Sequence, residues 1–240
     1  MFLKKLMMLQ EKVSSYSEYP FSIPAIHHLK ELTFQKGVTF FVGENGTGKS
    51  TLLEAIADKC EFNTAGGGRQ NTYEVDQSES VLGDYIRLSW LPKVTTGFFL
   101  RAESFYHFAS HIDEIEEDLN MFINYGGRSL HQQSHGESFL SLFKYRFTGK
   151  GIYLLDEPEA ALSPTRQLTF LKMIHDLTKK KQAQFIIASH SPILLGYPDA
   201  DIFSFDGDQI AKVNYEDTEH YQLTKYFLQH REKLLAELFK

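Results

Sequence analysis

The chain has 240 residues, 42% hydrophobic and 23% charged, which fits an ordinary globular protein and excludes disordered, collagen-like and coiled-coil classes. Its 25 basic residues against 31 acidic ones leave a net charge of −6, which excludes a globally basic nucleic-acid binder. The apolar runs, such as Val38–Val42, fall far short of the roughly 20 residues that span a bilayer, so no membrane insertion is expected. Cys60 is the single cysteine, so no intrachain disulfide can form and a cytoplasmic setting is expected.

Residues 1–32 are mixed in character and include Pro20 and Pro24. Met1–Leu9 is apolar but interrupted by Lys4 and Lys5, with no small-residue cleavage site after it, so it does not read as a secretory signal. Val38–Val42 reads as a strand, and a glycine-rich turn then leads into a helix through Asp58. The polar stretch from Glu61 to Ser80, with Gly66, Gly67 and Gly68 in a row, reads as a loop. Tyr85–Trp90 and Gly97–Ala102 are predicted strands, and Ser104–Phe122 is a predicted helix ended by Gly126 and Gly127. A second helix is predicted from near Gly136 to about Phe147.

Ile152–Leu155 and Phe185–Ala188 read as buried strands flanking a helix at Thr165–Lys181. Asp201–Phe205 and Gln209–Val213, parted by Asp206 and Gly207, read as a hairpin. Thr218–Phe239 is a predicted amphipathic helix whose Leu223, Phe227, Leu228, Leu234, Leu235 and Leu238 would pack within the chain or, alternatively, dock a partner. Strands alternating with helices predict an α/β fold around a mostly parallel sheet.

Gly43, Glu44, Asn45, Gly46, Thr47, Gly48, Lys49, Ser50 and Thr51 match G-x-x-x-x-G-K-[ST] between a predicted strand and a predicted helix, the setting of a phosphate-binding P-loop. Glycines let the backbone curl so that its N–H groups point at phosphate oxygens, and the helix adds its positive N-terminal end. Lys49 is expected to reach the β- and γ-phosphates, and the Ser50 hydroxyl to bind Mg²⁺. Ile152–Leu155 runs into Asp156 and Glu157, a buried strand that delivers carboxylates to such a site (a Walker B pattern). Asp156 is expected on the Mg²⁺ side and Glu157 as the general base that polarises the attacking water.

Further residues carry a resemblance. Ser134, His135, Gly136 and Glu137 precede the two acids by about twenty residues; Pro158, Glu159, Ala160, Ala161, Leu162 and Ser163 follow them, and Ser189 and His190 close a strand. This order resembles the ATP-binding-cassette (ABC) ATPases over most of the chain, and most of all the small soluble ATPases near the RecF/SMC branch. The resemblance implies one P-loop NTPase domain over residues 1–240, with a small antiparallel β region and a helical signature subregion at roughly 104–147. It implies that Ser134 and Gly136 grip the γ-phosphate of ATP held by a second copy, in a head-to-tail homodimer with two ATP molecules at its interface. It also implies that His190 contacts the γ-phosphate and steadies the attacking water near Glu157. Where the family has a Q-loop glutamine this chain has Arg101, Ala102 and Glu103, so either Glu103 takes the glutamine's place at Mg²⁺ and Arg101 touches phosphate or a neighbouring acid, or the stretch is an ordinary salt-bridged strand end. Ser163 replaces the usual D-loop aspartate. Tyr16 or Tyr19 would stack on adenine, with ordinary packing as the alternative.

The function so implied is slow ATP hydrolysis by a soluble dimer, with DNA or a protein effector as partner in DNA maintenance or defence. The energy-coupling subunit of a membrane transporter, and an ATP-gated switch that recruits an effector, are the alternatives.

Overall fold

The computed structural model describes residues 1–63, 81–102, 135–146, 150–180 and 182–240. The predicted loop around Gly66–Gly68, the predicted helix Ser104–Phe122 and the candidates Glu103 and Ser134 lie outside these residues.

Six strands form the principal sheet: β3 (Val38–Val42), β5 (Gly97–Arg101), β6 (Gly151–Asp156), β7 (Ala183–Ala188), β8 (Ala200–Ser204) and β9 (Ala211–Val213), in the order β5-β6-β7-β3-β8-β9. The five from β5 to β8 run parallel, and β9 returns antiparallel on β8. Both faces of the sheet are covered, which is why its strands read as nearly unbroken apolar runs. Phe40, Phe98, Leu155 and Ile187 point to one side, where they meet Phe139 and Phe143 of α3 (His135–Arg146) and Phe170 and Ile174 of α4 (Pro164–Lys179). Phe41, Phe99, Leu154 and Ile186 point to the other, towards Leu52, Leu53 and Ile56 of α2 (Lys49–Lys59).

A second, three-stranded antiparallel sheet shares a core cluster with α2, in the order β2 (Glu31–Thr33), β1 (Leu3–Met8), β4 (Ile86–Trp90). The fully buried Gln184 of β7 joins the two sheets: its Oε1 accepts from the amides of Phe2 and Leu3 at 2.7 and 2.8 Å, and its Nε2 donates to the Leu3 carbonyl at 2.9 Å. The short helix α1 (Pro24–His27) then brings Ile23 and Ile26 against Gly48, where a Cβ would lie 3.1 and 3.3 Å from them. The residues before β3 therefore brace the turn that follows it.

The small antiparallel β region expected is the sheet of β1, β2 and β4. Two features depart from the expectations: the hairpin's second strand is shortened to Ala211–Val213, and the terminal helix is not packed into the core. After the four-residue helix α5 (Pro192–Leu195), the last helix, α6 (Glu219–Leu238), buries none of its residues, and Leu223, Leu228 and Leu238 stay 59%, 75% and 72% exposed. No helix among the described residues is long and apolar enough to cross a membrane.

Candidate functional site

The parallel sheet gathers the candidate residues along one edge, at the carboxyl ends of neighbouring strands, where ligands of open α/β sheets bind. Arg101 closes β5, Asp156 closes β6, Ser189 and His190 follow β7, Gly43 follows β3 and Asp206 follows β8. Because β7 lies between β6 and β3, His190 emerges between the carboxylates and the glycine-rich turn.

That turn has the backbone a phosphate cradle needs. Gly43, Gly46 and Gly48 adopt φ of 147°, 82° and 98°, in the region that L side chains rarely enter. Gly48 is the left-handed N-cap of α2, so the helix's first amides open towards the loop. Thr47 Oγ1 donates to the Glu44 carbonyl at 2.8 Å, and the Glu44 amide donates to Asp206 Oδ1 at 2.7 Å. Asn45 and Gly46 are exposed, within the turn that the Thr47–Glu44 bond closes.

Lys49 is 4% exposed, and its Nζ donates to the carbonyls of Gly43 and Glu44 at 2.6 and 2.8 Å. Burial pulls its pKa down, against the raising fields of Glu157, Asp156, Asp206 and Glu44. Ser50 Oγ donates to Asp156 Oδ1 at 3.0 Å. Arg101 spans two acids, with Nη1 2.8 Å from Glu54 Oε1 and Nε 3.5 Å from Asp156 Oδ2. Burial raises the pKa of Asp156 to about 6, although Arg101 and the Ser50 hydrogen bond oppose the shift. Arg101 thus meets neighbouring acids, a contact that fits both the neighbouring-acid reading and an ordinary salt-bridged strand end.

Glu157 adopts φ 50° and ψ 50°, a left-handed backbone that turns its side chain away from the line of β6. Its Oε1 lies 3.3 Å from His190 Nε2. Burial and the Lys49 ammonium pull the His190 pKa below its ordinary value, against the raising influence of Glu157. The loop carrying His190 is held by Glu159, whose Oε1 accepts from Ser189 Oγ at 3.0 Å and from the His190 amide at 2.5 Å. Burial is also the largest cause of the raised Glu159 pKa.

The donor set suits a hard divalent cation bound to a polyphosphate. A hydroxyl and a carboxylate stand side by side beneath a curled, glycine-rich loop and a buried ammonium. The structure thus brings together the P-loop, Asp156, Glu157 and His190. Gly136 is not among them: it is buried at the start of α3, where a Cβ would meet Arg166, and Arg166 in turn pairs with Glu137 at 3.4 Å. The two tyrosines part company. Tyr16 packs on Phe21 and His27, whereas Tyr19 is 68% exposed with its hydroxyl 3.2 Å from Thr51 Oγ1.

Three participants have no motif to announce them. Asp206 looks like half of an Asp-Gly turn yet caps the P-loop, Glu54 is one acid on a helix yet anchors Arg101, and His220 of α6 reaches His190 Nδ1 with its Nε2 at 2.8 Å.

A model of the AAA domain family matches residues 22–230. The tungstate uptake system ATP-binding protein TupC of Peptoclostridium acidaminophilum is 26% identical over 171 residues, covering 68% of this chain and 79% of that protein. Among solved structures, the SMC head domain from Thermotoga maritima superimposes with a TM-score of 0.49 at 19% identity, covering 89% of this chain and 99% of that one. The ADP conformation of MJ1267, an ATP-binding cassette of an ABC transporter, covers 100% of both chains with a TM-score of 0.52 at 17% identity.

Proposed function

The chain belongs to the AAA domain family and is an ABC-type P-loop ATPase, and from that premise we propose that it hydrolyses Mg²⁺-ATP slowly, in a head-to-tail homodimer that encloses two nucleotides. The observation that carries the reading is the convergence of Lys49, Ser50, Asp156, Glu157 and His190 at one edge of the sheet.

Each residue has a task its surroundings suit. The loop amides of 43–51 and the Lys49 ammonium hold the phosphates. A Mg²⁺ ion held by Ser50 and Asp156 would neutralise charge on the phosphate oxygens. Glu157 takes a proton from the attacking water, and His190 steadies that water and the terminal phosphate. Tyr19, exposed beside the P-loop helix, is the better-placed aromatic for adenine. Ser134 and Gly136 remain our candidates for contact with the second copy's nucleotide, which for the buried Gly136 requires Arg166 to move aside, and Glu103 our candidate for a further Mg²⁺ ligand. We place the protein in the cytoplasm.

The load is DNA or a protein effector. The TupC likeness supports a second reading, an energy-coupling subunit for a transporter. Steady-state ATP hydrolysis with and without DNA, with Lys49→Ala as blank, tests the proposal. We expect turnover that Lys49→Ala abolishes and DNA stimulates; turnover indifferent to DNA at every salt concentration removes the DNA load, and no turnover at all removes the enzyme.

A further inference from the structure

The histidine at the end of β7 has a partner that the hydrolytic site does not by itself require. Thr218 is buried and caps the approach to α6, its Oγ1 donating to the Tyr215 carbonyl at 2.7 Å, and Tyr215 Oη donates to the Pro192 carbonyl at 2.9 Å. The first turn of α6 is thereby tied to α5, two residues beyond His190. This holds His220 Nε2 at 2.8 Å from His190 Nδ1, with the rings tilted 55° and their centroids 4.9 Å apart.

Two nitrogens at this distance share one proton, and the surroundings decide who carries it. His190 Nε2 faces Glu157 Oε1 at 3.3 Å, and an ionised carboxylate only accepts. If His190 carried its proton on Nδ1, the bare Nε2 lone pair would face that carboxylate, and His220 would be left with a buried N–H on Nδ1. That atom has no partner among the described residues. If His220 Nε2 donates instead, the N–H left without a full hydrogen bond is that of His190 Nε2, which faces the Glu157 carboxylate 3.3 Å away, and the orphan on His220 is an acceptor. A buried N–H that faces an ionised carboxylate costs less than one that faces no polar partner at all. The second arrangement therefore wins. Burial and the nearby Lys49 ammonium both disfavour a doubly protonated His190, so its tautomer, rather than its charge, is what the partner sets.

We propose that His220 is a positioning residue for hydrolysis: its Nε2–H, donated to His190 Nδ1, keeps the proton of His190 on Nε2, facing Glu157 and the terminal phosphate. The proposal rests on the hydrolytic reading above and extends it to a residue on the terminal helix. It makes α6, none of whose residues is fully buried, part of the catalytic arrangement through its first turn.

Long-range nitrogen–proton NMR on the full ¹⁵N-labelled chain, with signals assigned from His190→Gln and His220→Gln, reads the tautomers without any turnover. The expected spectrum has His190 protonated on Nε2 and bare on Nδ1; a proton on His190 Nδ1 overturns the proposal. In Mg²⁺-ATP hydrolysis, His220→Leu should lower kcat by about tenfold or more with KM nearly unchanged, the size of loss seen when a partner that fixes a histidine tautomer is removed. His220→Gln, which keeps a donor near the same point, should recover most of that loss. Wild-type kcat in His220→Leu overturns the proposal and leaves the ATPase reading standing. Absence of turnover in the unaltered chain removes the ATPase reading, and the imidazole spectrum then decides the tautomer on its own.

Discussion

Asp156 sits where its charge is useful to a cation and costly to the fold. Its carboxyl group is raised from 3.8 to about 6, chiefly by burial. The folded chain therefore holds this proton more tightly than the unfolded chain does. The stabilising contribution is complete below about 3.8 and is lost as the pH rises through about 6, leaving a cost of about 3 kcal/mol at neutral pH. Asp156→Asn keeps an acceptor for Ser50 and leaves Arg101 its contact with Glu54. In EDTA at neutral pH this variant should melt at a higher temperature than the unaltered chain, with the gap closing as the pH falls towards 4; thermal scans across that range check it, and a lower Tm at neutral pH contradicts it. Lys49 pairs with two backbone carbonyls rather than with a side chain, so Lys49→Ala should fold normally and lose ATP affinity by about a hundredfold or more, as read by equilibrium binding of a fluorescent nucleotide.

Gln184 shows how one side chain can join two elements. Gln184→Ala would leave the buried amides of Phe2 and Leu3 without an acceptor, at a cost of about 2–5 kcal/mol. Urea titration should find that loss, together with faster amide exchange in β1; an unchanged midpoint would deny the strap. The same strap explains why residues 1–32 were hard to read. Strand β1 has a register shift between Leu3 and Lys5, so its apolar residues do not alternate cleanly, and its partner β4 lies far along the chain. The central strands and the P-loop were legible because continuous apolar runs and a fixed motif signal themselves locally. Asp206, Glu54 and His220 were not, because each acts through a tertiary contact with a residue distant in the chain. The apolar stripe of α6 was correctly seen, but periodicity records a face and not what covers it.

At the scale of the whole molecule, the proposed sandwich rests on the resemblance of residues 134–137 to the ABC signature. Glu157→Gln, which removes the base and keeps the phosphate-binding residues, should hold the closed state. Light scattering in Mg²⁺-ATP should report a dimer for this variant and a monomer without nucleotide; a monomer under both conditions contradicts the sandwich. The central claim is that Glu157 and His190 act on ATP seated over Lys49. Its most direct test is phosphate release under saturating Mg²⁺-ATP in the unaltered chain and in Glu157→Gln, with nucleotide affinity measured in parallel. The account predicts a fall of about a hundredfold or more with affinity retained, the scale of a positioned general base. Equal rates in the two proteins would contradict it.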